Sequence, residues 1–268
     1  MDLFKSFSLG QIQVSASCLY QTNTTLVFGR ETVLVCDPNW LPHEIDAILN
    51  RIHPFQETHA FYFLFTHADY DHIIGYGAMP PGQVVTSLAM QEEINPEKAL
   101  DRVKEWDGQK YISRSYQHRF PKADHTVRYP GQVMNLGEFT VRGFPARGHT
   151  IDGAMYFIEE AKTLLMGDYL SPLEFPFIED SWIAYQETLQ NMKHLHTVLN
   201  WEISVPGHGP CYQDPSKLAE RIKIDLDYLD KLGAMEAIES WVEVYPFALY
   251  LENEHHNNYR RYRMENKT

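Results

Sequence analysis

The stretch Phe63 to His72, Phe-Leu-Phe-Thr-His-Ala-Asp-Tyr-Asp-His, constrains this chain more than any other. An apolar run from Phe61 to Phe65 has the length and composition of a buried strand. It stops in four side chains able to bind a metal: His67, Asp69, Asp71 and His72. Asp and His are poor strand formers, and crowded carboxylates repel one another unless positive charge lies among them. Packing alone is a poor explanation for the segment. One divalent cation, or two, is the economical source of the missing charge.

Three other places repeat the pattern of apolar strand, glycine turn and ligand. Phe144-Pro145-Ala146-Arg147-Gly148-His149-Thr150 presents His149, Leu164-Leu165-Met166-Gly167-Asp168 presents Asp168, and Ile203-Ser204-Val205-Pro206-Gly207-His208-Gly209 presents His208. A glycine there lets the backbone turn sharply, so that the ligand projects from a rigid strand end. Four such ends converge on one point if their strands are neighbours. The other nine of the 13 histidines read as structural or surface residues.

The surrounding pattern is mixed. Gln11 to Tyr20 alternates, and 25–28 and 32–36 read as strands around a Gly-containing turn that closes at Asp37-Pro38-Asn39. Pro42 to Ile52 reads as a helix with Ile45, Ile48, Leu49 and Ile52 on one face. Leu88 to Trp106 reads as helix broken at Pro96, and 106–120 as an irregular aromatic insertion of the kind that lines a pocket or packs as a surface loop. Strand signals return at 125–129, 139–144, 155–158, 163–166 and 203–205. Ser181 is placed to cap a helix from Trp182, Asp214 to about Val242 reads as helix, and Glu252 to Thr268 reads as a polar, frayed tail. Strands, helix, strand, helix, and then the same again suggest two β-rich halves, each covered by helices. An α+β, four-layer αββα sandwich satisfies that order. Residues 1–212 are expected to form it, with 213–268 a helical C-terminal extension packed on the same domain.

Composition narrows the partners. The 268 residues are 44% hydrophobic and carry a formal charge of −13. Such acidity disfavours nucleic acid, and the Arg260-Arg261-Tyr262-Arg263 cluster reads as a solvated tail. No stretch has the apolar length of a membrane span. The start lacks the pattern of a secretory signal, and Cys18, Cys36 and Cys211 read as reduced core thiols. Together these suggest a cytoplasmic location.

The set His67-Ala68-Asp69-Tyr70-Asp71-His72, Gly148-His149-Thr150, Gly167-Asp168 and Pro206-Gly207-His208-Gly209 closely resembles the metallo-β-lactamase-fold hydrolases, over roughly residues 12 to 212. The resemblance implies two metals at one edge of the paired sheets. It assigns His67, Asp69 and His149 to the first, Asp71, His72 and His208 to the second, and Asp168 to a bridge between them. Asp69 stands where the commonest family pattern has His. That change makes the first site harder and more anionic, favouring Mn²⁺ or Fe²⁺ there, while zinc is the first expectation overall.

The same resemblance implies hydrolysis by a bridging hydroxide, with Asp71 and Asp168 as the catalytic carboxylates and Asp71 orienting the nucleophile. A small ester, thioester or lactone, as in glyoxalase II-like branches, or a small phosphodiester, is the expected substrate. Tyr169 and Tyr212 are placed to reach it. Thr66 and Asp37 are expected to support the ligands from behind. Two other readings stay open. One is a mononuclear Fe(II) oxygenase using His67, His149 and Asp168. The other is a non-catalytic metal-binding scaffold.

Overall fold

The computed structural model describes residues 3–7, 11–234 and 238–266. Twelve strands among these residues form two sheets. The first runs in the order β1 (Phe4–Phe7), β2 (Ile12–Ala16), β3 (Asn23–Phe28), β4 (Thr32–Cys36), β5 (Ala60–Leu64), β6 (Gln83–Ser87) and β7 (His125–Val127). The second runs β12 (Ile203–Val205), β11 (Thr163–Leu165), β10 (Ala154–Ile158), β9 (Phe139–Pro145) and β8 (Gln132–Leu136). β1 to β4 are antiparallel, β4 to β7 are parallel, and in the second sheet only β11 and β12 pair in parallel.

Strands covered on both faces read as unbroken apolar runs, and alternation assigns the faces. In β4 and β5, Leu34, Tyr62 and Leu64 face the second sheet, where they meet Val141, Tyr156 and Leu165. Val33, Val35, Phe61 and Phe63 point the other way, onto α1 (Pro42–Ile52) and α4 (Pro96–Gln109). The outer face of the second sheet, through Phe144, Met155 and Phe157, is covered by α5 (Trp182–Val198) and α6 (Pro215–Lys231). The result is the helix–sheet–sheet–helix order expected from the sequence.

Several local expectations change. β1 and β8 are short strands with no distinct pattern of their own, formed by pairing with neighbours. The break at Pro96 separates α3 (Leu88–Glu92) from α4, where Asn95 accepts a hydrogen bond from the Lys98 amide and proline occupies the first turn. The helix expected to reach Val242 stops at Lys231 and continues as short 3₁₀ turns. The polar tail is not frayed: Glu252–Glu265 is a helix, α7, and residues 267–268 lie outside the described residues. Asn258 holds α7 by accepting from the Ile178 amide at 2.9 Å and donating to the Pro176 carbonyl. Glu265 accepts from Ser181 Oγ and from the amides of Trp182 and Ile183, capping the N-terminus of α5. Of the three cysteines, Cys36 is buried and Cys211 half-buried, but Cys18 is exposed rather than a core thiol. No helix among the described residues is long and apolar enough to cross a membrane.

Strand direction positions the site. β4 and β5 run in parallel in one sheet, and β9, β11 and β12 point the same way in the other, so the residues following these strands emerge at one edge. The Ala154 amide donates to the Thr66 carbonyl at 2.7 Å and the Asn23 amide to the Gly207 carbonyl at 2.7 Å, joining the two sheets there.

Candidate metal centre

Asp168 is the hub. Its Oδ1 lies 3.1 Å from His72 Nε2, and its Oδ2 lies 3.7 Å from His67 Nε2, 3.5 Å from His149 Nε2 and 3.2 Å from His208 Nε2. Asp69 Oδ2 is 3.6 Å from His67 Nε2 and 3.5 Å from His149 Nε2. Asp71 Oδ2 is 3.6 Å from His72 Nε2 and 3.5 Å from His208 Nε2. The seven residues singled out in the sequence therefore meet in one place, as two triads on either side of Asp168. Within the triad His67, Asp69 and His149, and within the triad Asp71, His72 and His208, potential ligand atoms lie within 4.8 Å of one another.

Glycine makes this convergence possible at two positions. A side chain on Gly207 would place its Cβ 1.9 Å from Asp168 Oδ1. Gly148 has φ +122°, and a Cβ there would lie 2.3 Å from the Tyr185 backbone. Both are positions where only glycine fits.

The outer ring nitrogens decide which way the imidazoles face. His72 Nδ1 meets Asp37 Oδ2 at 3.0 Å, His149 Nδ1 donates to the Phe177 carbonyl at 3.0 Å, and His208 Nδ1 donates to the Tyr20 carbonyl at 2.9 Å. His67 Nδ1 lies 3.0 Å from Thr66 Oγ1, which itself donates to Asp37 Oδ2 at 2.7 Å. With Nδ1 used as a donor, a neutral ring turns the lone pair of Nε2 toward the carboxylates. The Nε2 atoms of His67, His72 and His149, and Oδ1 of Asp168, are buried and lack a hydrogen bond among the described residues. Lone pairs facing lone pairs in a buried pocket need a positive charge between them. The donor set fits a divalent cation in each triad.

The electrostatics agree. Burial alone would lower the basicity of His149, but the Asp69 carboxylate 3.5 Å from its Nε2 and the charge on Asp168 raise its pKa to about 10. His208 is also raised to about 10, against burial, by Asp168 and Glu174. Burial pushes the Asp69 and Asp168 carboxyls up, yet the surrounding imidazoles hold both well below the carboxylate range. Without a metal, the pocket acquires its positive charge as protons on the imidazoles of His72, His149 and His208.

Sequence reasoning missed several supporting residues. Asp152 is buried and accepts from the Ala68 amide at 2.8 Å, fixing the turn that carries the first ligands. Thr22 Oγ1 donates to Asp71 Oδ2 at 3.0 Å. Glu174 Oε1 lies 4.0 Å from His208 Nε2, and burial raises its carboxyl to about 7. No local pattern marks these residues, because each reaches the site across the fold. A further set, Cys18, His43 and Glu44, also lies within ligand distance, but Glu44 already accepts from Ser17 Oγ, the Cys18 amide and the Leu41 amide.

A cleft of about 540 Å³ opens above the hub. Its walls include Trp106 from α4, Tyr20 and Tyr70, and, from the C-terminal segment, Phe247 and Tyr250. Neither tyrosine expected at the substrate lines it. The Tyr169 hydroxyl donates to the Arg147 carbonyl at 2.7 Å and accepts from the His149 amide at 3.1 Å, so it braces the His149 turn. The Tyr212 hydroxyl donates to the Leu170 carbonyl at 2.7 Å.

Comparison with known proteins gives the same picture. The chain is 26% identical over 207 residues to a lactamase-like protein, nscB, of Arthroderma benhamiae, covering 76% of this chain and 40% of that protein. It is 27% identical over 207 residues to the lactamase-like protein aptB of Emericella nidulans, covering 76% and 57% respectively. The chain thus spans about half the length of the curated relatives it matches. Among solved structures, a metallo-beta-lactamase family protein from Thermus thermophilus superposes with TM-score 0.60 at 17% identity, covering 98% of this chain and 92% of that one. The sec-alkylsulfatase Pisa1 from Pseudomonas sp. superposes with TM-score 0.69 at 10% identity, covering 85% and 42%. These likenesses show a shared fold. The family model of the metallo-beta-lactamase superfamily matches residues 19–208, which hold every residue of both triads, and the chain belongs to that superfamily.

Proposed function

We propose that this protein is a dinuclear metal-dependent hydrolase acting on a small ester, thioester, lactone or phosphodiester. One observation carries the reading: the buried Nε2 atoms of His67, His72 and His149 converge on carboxylates with no hydrogen bond among the described residues to satisfy them. His67, Asp69 and His149 would hold one ion and Asp71, His72 and His208 the other, with Asp168 shared. Zinc is the first expectation, with manganese or iron competing at the triad containing Asp69. Divalent ions so held make water more acidic and withdraw charge from a substrate oxygen.

The chain's own groups supply the rest. Asp71, kept in place through Oδ2 by Thr22, orients the attacking water and takes its proton at the carboxylate. The water oxygen bonds to the acyl carbon or phosphorus, the bond to the leaving group breaks, and Asp71 returns the proton to that group. Asp37, buried behind His72, keeps the imidazole turned toward Asp168.

The mononuclear iron reading needs the second triad to play no part. His72 and His208 lie at 3.1 and 3.2 Å from Asp168, at least as near as His67 and His149, which favours two ions over one. Elemental analysis of protein purified without added metal, paired with an ester, thioester, lactone and phosphodiester screen on the same sample, tests the proposal. The expected result is two metals per chain and turnover of one substrate class. A single iron with oxygen consumption would overturn it.

A further inference from the structure

We infer that the cleft above the hub selects substrates that carry a cationic, alkylammonium-like group beside the bond to be cleaved. The inference rests on the hydrolase reading for the bond, and on the cleft walls for the cation. The aromatic side chains Tyr20, Tyr70, Trp106, Phe177, Phe247 and Tyr250 line the cleft, and no Lys or Arg is among its lining residues. Tyr250 is 87% exposed and Tyr20 42% exposed, which core packing does not explain. Aromatic faces attract cations through the ring quadrupole, most strongly where water is partly excluded.

The remaining charge in the walls has one sign. Beyond the two triads and Asp168, the ionisable lining residues are Glu174, Glu179 and Glu254. Glu179 also borders a neighbouring cavity that contains Arg102 and Arg261, and Arg102 acts on it electrostatically. Among the described residues no Lys or Arg pairs with Glu174 or Glu254, and the imidazole nearest Glu174 is that of the metal-facing His208, at 4.0 Å. Glu174 is only 13% exposed and accepts no hydrogen bond among the described residues, and Glu254 projects from α7 with the Asn257 amide as its hydrogen-bond donor. Apart from the carboxylates of the two triads and Asp168, the cleft wall thus carries Glu174 and Glu254 with no Lys or Arg partner among the described residues. An anionic substrate group would meet uncompensated carboxylates, and an uncharged one would leave Glu174 poorly solvated. An alkylammonium group satisfies both the aromatic faces and the acids. Trp106 stacks on Tyr70 with ring centroids 4.5 Å apart and has the Lys110 ammonium 5.3 Å from its own centroid, so it serves as wall and the exposed rings of Tyr20 and Tyr250 are the ones offered to a cation.

The test is equilibrium binding to the metal-loaded full chain, by titration calorimetry at fixed ionic strength in mildly alkaline buffer. The probes are choline, its uncharged isostere 3,3-dimethylbutanol, and the anion 3,3-dimethylbutyrate. Choline is expected to bind about fivefold or more tighter than the isostere, and the anion weakest. Glu174→Gln combined with Glu254→Gln should bring choline and the isostere within about twofold of each other, compared at equal metal loading. Glu254→Gln alone, on a half-exposed position, should narrow the gap and guards against a misfolded double variant. Equal binding of choline and the isostere, preference for the anion, no choline binding, or a preference that survives the double substitution would each overturn the inference. Metal content and turnover are measured separately, so failure of the hydrolase reading is seen as such.

Discussion

His67, Asp69 and His149 on one side of Asp168, and Asp71, His72 and His208 on the other, each offer two imidazoles and one carboxylate. Their supports differ. In the second triad a buried carboxylate, Asp37, stands behind His72, and Thr22 donates to Asp71. In the first triad His67 leans on the Thr66 hydroxyl, His149 on a backbone carbonyl, and the Asp69 carboxylate meets only the two imidazoles among the described residues. The Asp69 side chain is 20% exposed and that of Asp71 7%. A carboxylate behind an imidazole makes it a better ligand. Asp69 gives the first triad the same ligand types as the second, and what stands behind the ligands adds a difference that residue type alone does not carry.

The largest effect should come from the residue the triads share. Asp168→Ala should release both ions and abolish turnover, and retention of two metals in that variant would refute the bridging role. Asp37→Ala separates the triads. It should weaken the ion held through His72 most, by about 10- to 100-fold, and reach the other less, through Thr66 and His67, so chelator competition should show one ion lost before the other. Equal loss from both triads would mean that the supports do not matter. Asp69→His acts on the other side. It should raise the first triad's preference for zinc over manganese by about tenfold, measured by competition between the two metals.

A pH series sharpens the comparison without mutation. In the metal-free protein His149 and His208 have pKa values raised to about 10 from an ordinary 6.5. A raised pKa contributes stability that is fully present below the unfolded value and lost as pH climbs through the folded one. Metal-free protein should therefore lose stability between about pH 6.5 and 10, while metal-loaded protein, whose imidazoles are already neutral, should not. Thermal melts with and without chelator should show a gap that widens with pH; a constant gap would contradict the assignment. The smallest effect belongs to Tyr169→Phe, which keeps the buried ring but removes the hydroxyl bracing the His149 turn. It should cost about 1–2 kcal/mol of stability and loosen the first triad more than the second, read from denaturant midpoints and metal affinity.

Much of this site could be read from the chain because each ligand ends a strand with its own local signature. Asp69 to His72 follow an unbroken apolar run, and His149, Asp168 and His208 each follow a glycine. The αββα layering was legible for a related reason: strands such as Thr32–Cys36 are buried on both faces, so their composition alone reports two covering layers. Less of the cleft could be foreseen. Tyr169 sits next to Asp168 in sequence and yet faces away from the cleft, because its hydroxyl is consumed by the His149 turn. Glu252–Glu265 is polar along most of its length, and its helix is secured by residues such as Asn258, Arg261 and Glu265, whose partners lie some 80 positions away. Such pairings leave no periodicity to detect.

The chain by itself determined the identity and order of the candidate ligands, the strands that carry them and the crowding of carboxylates with imidazoles, since these depend on residue type and short-range spacing. Only the tertiary structure decided that Asp168 reaches all four imidazoles, that Asp37 stands behind His72, and that Phe247, Tyr250 and Glu254 form a wall of the cleft opposite the ligand-bearing strands. Those relations depend on which strand ends share an edge and how α7 docks, and long-range packing, rather than local sequence, sets both.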